Sequence, residues 1–164
     1  VKEGKVRYIG FTGHKDPSIH LKMLGQPYDW ATVQMPLNVM DAHYRSFQKQ
    51  VLPVLNQRGI GCIGMKSLGG NGSIVSKAGV PVEQALSYVF SLPIATLVSG
   101  IDSEKVLDHN LKIVREYSPM SEQERHALES KYLQVAGDGR FELFKSSKTF
   151  DGPVHQRQHG FEVA

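Results

Sequence analysis

The run Lys66-Ser67-Leu68-Gly69-Gly70-Asn71-Gly72-Ser73 places three glycines just after a lysine. Glycine lets backbone N–H groups approach an anion closely and adopt conformations closed to other residues, so such a run is either a phosphate cradle or a plain turn. Lys66 would serve there as a surface or phosphate-facing charge, and a desolvated lysine can also act as a base. Gln34 interrupts the apolar run from Thr32 to Met35, either as a satisfied core amide or as a ligand contact. The seven histidines, at 14, 20, 43, 109, 126, 155 and 159, show no paired ligand spacing on a clear helix face. His155 and His159 are four apart, but in a polar stretch that does not read as helix, so no metal is assigned. His14, at the end of a strand-like run, either touches cofactor or substrate, caps the next helix or faces solvent. Cys62 stands alone in Gly-Ile-Gly-Cys-Ile-Gly-Met and reads as a small buried hydrophobe, which excludes a disulfide framework and a cysteine metal site.

The elements that would position these residues alternate between β-rich runs and helical periods, the mark of successive βα units around a parallel sheet. Strands are expected over 6–11, 32–35, 60–65 and 94–99. Asp16-Pro17-Ser18 starts a short helix over 19–24. Phe47, Val51, Val54 and Leu55 form a stripe on the helix expected from 41, which Pro53 should kink or split. Pro81 opens a helix with Val82, Leu86, Val89 and Phe90 on one face. Asp102 or Ser103 caps another, in which Leu107, Leu111 and Val114 share a face, and Ser121 with Glu124 forms a capping box for a last helix to about 135. Tyr28 and Trp30 should pack at the entrance to the second strand. Each βα unit takes about 30 residues, as in a TIM barrel of about 250 residues, and the four units seen are half of the eight that a closed barrel needs. The opening Val-Lys-Glu-Gly-Lys-Val-Arg-Tyr reads as a helix end and a strand start, so the chain looks as if it begins mid-domain. Residues 1–136 are thus expected to form the barrel half and 137–164 a C-terminal extension that drapes over the rest or stays mobile.

Composition narrows the classes further. The 164 residues are 40% hydrophobic and 21% charged, which fits one globular domain. The net charge of +3 is spread among acidic residues, arguing against a nucleic-acid partner. The apolar stretches are too short to span a bilayer and no secretory leader opens the chain, so the expected setting is cytoplasmic, with no membrane partner.

The strand ends resemble those of aldo-keto reductases, especially the bacterial predicted-oxidoreductase branch, over nearly the whole chain. Gly4-Lys5-Val6-Arg7-Tyr8-Ile9-Gly10-Phe11-Thr12 is similar to the Gly-Lys-(Val/Ile)-Arg-x-(Ile/Leu)-Gly-(Val/Ile)-Ser of that family's fifth barrel strand. Val33-Gln34 with Asn38 resembles the sixth, Ile63-Gly64-Met65-Lys66-Ser67-Leu68-Gly69 the seventh, and Val98-Ser99-Gly100-Ile101 with Asn110 the eighth and its helix. The resemblance implies an α/β fold, the (β/α)8 TIM barrel, here its last four βα units plus the tail, binding NADP or NAD across the strand ends. By that likeness Thr12 and Gln34 meet the carboxamide of the nicotinamide, Met65 to Gly70 lie along the pyrophosphate, and Asn110 meets the adenine. Gly13, His14, Gly100 and Ser103 complete the implied cofactor site.

The sequence also departs from the family pattern. Gly13 replaces an asparagine, Met65 replaces the aromatic platform under the nicotinamide, and Val106 replaces an arginine near the adenosine 2′-phosphate. Asp102 adds negative charge there, which Lys105 could partly offset. The catalytic Asp, Tyr, Lys and His of the family belong to the first half of the barrel, so no catalytic residue is assigned to this chain. The resemblance implies reduction of an aldehyde or ketone by hydride transfer, with a small-molecule carbonyl substrate, a nicotinamide cofactor, and either the N-terminal half or a second copy of the chain as partners. The alternative is a non-catalytic half-barrel, a nucleotide-binding or scaffold module that acts through self-association, since two open edge strands demand a partner.

Overall fold

The computed structural model describes residues 1–148 together with 152, 153, 157, 160 and 162. Its centre is a four-stranded sheet of β1 (Gly10–Thr12), β2 (Thr32–Pro36), β3 (Gly61–Met65) and β4 (Thr96–Leu97), in the order β1-β2-β3-β4. Every pair is parallel. Each crossover carries helix: α1 (Pro17–Leu24), then α2 (Phe47–Gln50) and α3 (Leu52–Gln57), then α4 (Ser73–Ser76) and α5 (Val82–Phe90). After β4 come α6 (Glu104–Glu116), α7 (Glu122–Ala136) and the single turn α8 (Leu143–Ser146).

Local chemistry sets the element boundaries. The Asp16 side chain accepts from Ser18 N at 2.9 Å and Pro17 opens α1. Pro53 splits the expected long helix, which also begins later than expected, at Phe47, capped by Ser46. The reciprocal Ser121–Glu124 capping box is present on α7. The outer strands are shorter than the sequence suggests: 6–11 shrinks to Gly10–Thr12 and 94–99 to Thr96–Leu97. A strand extends only as far as a neighbour pairs with it, and among the described residues β1 and β4 have a partner on one side only.

The core lies between the sheet and the helices. Val33 and Met35 on β2 are fully buried, as are Leu55, Tyr88 and Val89 on the helices that cover them. Trp30 packs edge-on against Phe11 at 5.0 Å and beside Tyr28, as expected at the mouth of β2. Cys62 is buried, and burial pushes its thiol up to about 12, so it is inert. The stripe of Leu107, Leu111 and Val114 on α6 is not core: all three are exposed, and Ile113 is the helix's buried residue. From Gly139 to Lys148 the chain packs back over the strand ends and buries Glu142, Phe144 and Lys145. Most of the later tail, including His155 and His159, lies outside the described residues.

Candidate functional site

Because the strands are parallel, their C-terminal ends gather on one rim. Side chains alternate along each strand, so with Val33, Met35, Cys62 and Gly64 buried towards the helices, Gln34, Ile63 and Met65 share the opposite, inner face. Gln34 stands level with Thr12 on β1 and Ile63 on β3. Its Nε2 donates to Met65 Sδ at 3.4 Å. A thioether is a weak acceptor, so the amide is oriented without being committed to a strong partner.

The backbone carbonyl of Gln34 accepts from Gly13 N at 3.4 Å and lies 3.4 Å from His20 Nε2. His20 is buried between the rings of Phe11 and Phe47, and burial holds its pKa below the ordinary histidine value. A Cβ at position 13 would fall 2.8 Å from His20 Cε1. The glycine that breaks the family pattern is therefore required by the ring beneath it.

Beyond β3 the loop 66–72 turns through four residues of positive φ: Lys66 at 55°, Gly69 at 81°, Gly70 at 79° and Gly72 at 74°. Asn38 Nδ2 holds the Lys66 carbonyl at 3.3 Å, and Asn71 Oδ1 accepts from Ser73 N at 3.0 Å. Lys66 Nζ lies 5.1 Å from the centroid of Phe144, and partial burial lowers its pKa.

A groove of about 760 Å³ runs along this rim from Gln34 and Met65, over Lys66, Ser67 and Leu68, to Gly100 and the start of α6. Lys66 and Asp102 are its charged lining residues. Six expected site residues thus come together: Gln34, Met65, Lys66, Ser67, Leu68 and Gly100. Gly69 lies just beneath, where a Cβ would fall 2.9 Å from Ile74 Cγ1. The others do not line the groove. Thr12 is exposed at the end of β1 and Gly13 serves His20. His14 packs edge-on against Phe144 at 5.9 Å, and Asp16, not His14, caps α1. Ser103 caps α6 by accepting from Val106 N at 3.3 Å, and Asn110 Nδ2 donates to Ser99 Oγ at 3.2 Å, bracing α6 against the exit of β4. Among the described residues no cluster of three or more His, Cys, Asp or Glu could hold a metal, and no helix is long and apolar enough to cross a membrane.

Residues 1–78 match the sequence profile of the Aldo/keto reductase family. Over this segment the chain is similar to that family. The aldo-keto reductase match covers β1 to β3 and the Lys66 loop, the part of the rim that carries Gln34 and Met65. Solved structures extend the likeness in fold. Aldo-keto reductase AKR11C1 from Bacillus halodurans, in its holo form, is 17% identical with a TM-score of 0.60, over 79% of this chain and 51% of that one. Glycerol dehydrogenase AKR11B4 from Gluconobacter oxydans gives 16% and 0.56, over 83% and 52%. The aldose reductase from Schistosoma japonicum gives 16% and 0.55, over 92% and 51%. The chain spans about half the length of each, and its fold is accordingly part of a TIM barrel like theirs. A search of curated proteins finds no match.

Of one network at the rim, the sequence singles out Asn38 but not its partners Asp41, Glu142 and Lys145. Asn38, Asp41, Glu142 and Lys145 form a buried polar network that joins the segment after α7 to the exit of β2. An aspartate between Met40 and Ala42 is a weak signal of burial, and nothing in the polar run 137–148 announces its partner.

Proposed function

We propose that this chain supplies much of the cofactor site of a nicotinamide-dependent oxidoreductase that reduces aldehydes or ketones. The observation that carries the reading is the groove, where an oriented amide, a glycine loop and a lysine converge on the strand-end rim that barrel enzymes use for catalysis. The donor set fits a dinucleotide. The Gln34 amide can exchange its sulfur contact for a carboxamide, and the Lys66–Gly72 loop offers backbone N–H groups and a cation to a pyrophosphate. The cofactor, NADP or NAD in its reduced form, would supply the hydride when bound. This chain's residues bind it and orient one face, which converts binding energy into positioning. The proton donor to the carbonyl oxygen belongs to the first half of the barrel, so the chain alone binds nucleotide and turns nothing over.

The second reading is a non-catalytic half-barrel, a nucleotide-binding or scaffold module that works through self-association. It is favoured by one observation, the open edges of β1 and β4 and the exposed Val98, Ile101, Leu107, Leu111 and Val114 beside β4. Fluorescence titration with NADH and NADPH, alongside light scattering for molecular mass, separates the two. Saturable binding that weakens about tenfold in Gln34→Ala supports the cofactor site, since one good hydrogen bond is worth roughly that factor. A folded chain that binds neither nucleotide removes the cofactor reading for the chain by itself.

A further inference from the structure

The segment 137–148 crosses the strand ends as a strap tied to the loop after each of the first three strands. Its turn is made by Gly139, at φ 73°, where a Cβ would fall 2.5 Å from the Tyr44 ring. Lys15 Nζ, from the loop after β1, donates to Ser147 O at 2.5 Å, and Ser73 Oγ, at the far end of the loop after β3, donates to Phe141 O at 3.3 Å. The third tie, to the loop after β2, is a cluster of charges.

Lys145 is buried to its tip. Its Nζ donates to Asp41 Oδ1 at 2.5 Å, to Tyr44 O at 2.8 Å and to Glu142 Oε2 at 2.9 Å, which uses all three of its protons. Two dry carboxylates therefore share one ammonium. An excess negative charge without water is costly, and the usual remedy is a proton kept on one carboxyl. Asp41 also accepts from Phe47 N at 3.1 Å, Gln48 N at 2.8 Å and Ser46 Oγ at 3.3 Å, a donor set that suits the anion. Burial raises both carboxyls, but among the described residues Glu142 has one further donor, Asn38 Nδ2 at 3.0 Å, so the donor geometry favours Glu142 as the one to keep the proton. Burial, reinforced by the negative charge of Asp41, pushes it up to about 7 against the opposing pull of Lys145. The Asn38 amide group that meets Glu142 also holds the Lys66 carbonyl, so the cluster is one hydrogen bond away from the groove loop.

We propose that Asp41, Glu142 and Lys145 form a proton-held latch that fastens the strap and, through Asn38, positions the Lys66 loop. With Glu142 protonated the cluster is neutral and the strap is docked. When Glu142 ionises, the cluster carries one uncompensated charge and the strap releases into water. The latch does not require that the groove bind a nucleotide, and Glu142 and Lys145 lie outside the segment matched by the family profile.

The sign follows from linkage. A carboxyl whose folded pKa is raised contributes stability that is fully present below its unfolded value of about 4.5 and is lost as pH rises through about 7. The other charges facing the strap are Lys15, Lys66, the Arg45–Asp16 pair at 3.6 Å and His14 across Phe144. An imidazole titrates in the same range, so the charge-neutral variants, not the wild type alone, are diagnostic.

The test is hydrogen exchange of the full chain at pH 6 and pH 8, read as protection factors for the Lys145, Ser146 and Ser147 amides, whose acceptors lie within the strap. Wild type is expected to lose protection about tenfold from pH 6 to pH 8. Glu142→Gln and Asp41→Asn each leave one carboxylate for one ammonium, so both are expected to be flat. A flat wild type, or a step that persists in Glu142→Gln, overturns the latch. Should either variant fail to fold, the carboxyl carbon of Glu142 in wild type is followed by NMR. A titration midpoint near 7 supports the proposal and one below 5 overturns it.

Discussion

Helices α5 and α6 follow one another in the chain, each has an apolar stripe, and their fates are opposite. α5 buries Ala85, Leu86, Tyr88 and Val89, while α6 buries Ile113 and leaves Leu107, Leu111 and Val114 in solvent. The Tyr88 hydroxyl is also pinned, donating to Gln48 Oε1 at 2.7 Å and Glu129 Oε1 at 2.6 Å, so α5 is tied to both α2 and α7. Burial works against the charge on Glu129, yet hydrogen bonds from Tyr88, Gln48 and His126 outweigh it and hold the carboxyl below the usual glutamate range. The difference does not lie in the helices. Amphipathicity marks a face that can be buried, and burial needs a surface to meet it; the sheet stops at the two residues of β4. The groove sits on this boundary, with one wall on the sealed rim of β2 and β3 and the other on the open side at β4 and α6.

The comparison can be broken at several strengths. Lys145→Ala, on the sealed side, should cost about 3–5 kcal/mol in denaturant unfolding, since it leaves the buried Asp41 carboxylate without its counter-ion. A cost under about 1 kcal/mol would mean that water reaches the cluster. Leu86→Ala in α5 should cost about 2–5 kcal/mol by the same measurement. Tyr88→Phe, which removes a donor to a charged carboxylate and changes little else, should cost about 1.5–3 kcal/mol. Ser121→Ala, at the capping box of α7, should lower stability by about 1 kcal/mol. Leu111→Ala in α6 should change it by no more than about 0.5 kcal/mol. If Leu111→Ala instead costs as much as Leu86→Ala, and the cost grows with protein concentration, the α6 stripe is covered in solution by another chain.

Much of the fold was legible because it rests on local signals. The order of βα units, the Asp16 and Ser121 caps and the split at Pro53 all follow from residue types at fixed offsets, and the structure keeps each of them. The strands at the two edges were read too long, since a β-rich run does not reveal whether a neighbour exists to pair with it. The site was legible in part. Gln34 and the Lys66 loop stood out because an amide in an apolar strand and a cluster of glycines are locally odd, and both reach the groove. Ser103 and Asn110 do not line it and serve only as supports, bonded to Val106 and Ser99 respectively.

The sequence by itself determined a parallel α/β arrangement with a glycine-rich rim, because periodicity, caps and turn residues act over a few neighbours along the chain. Tertiary structure alone decided that Asp41 meets Glu142 and Lys145 across about a hundred residues, that Gly13 makes room for His20, and that one apolar helix face is core while the next is bare. Those outcomes depend on which surfaces meet, and a side chain's charge or hydrophobicity acquires its energetic weight only when water is removed from around it.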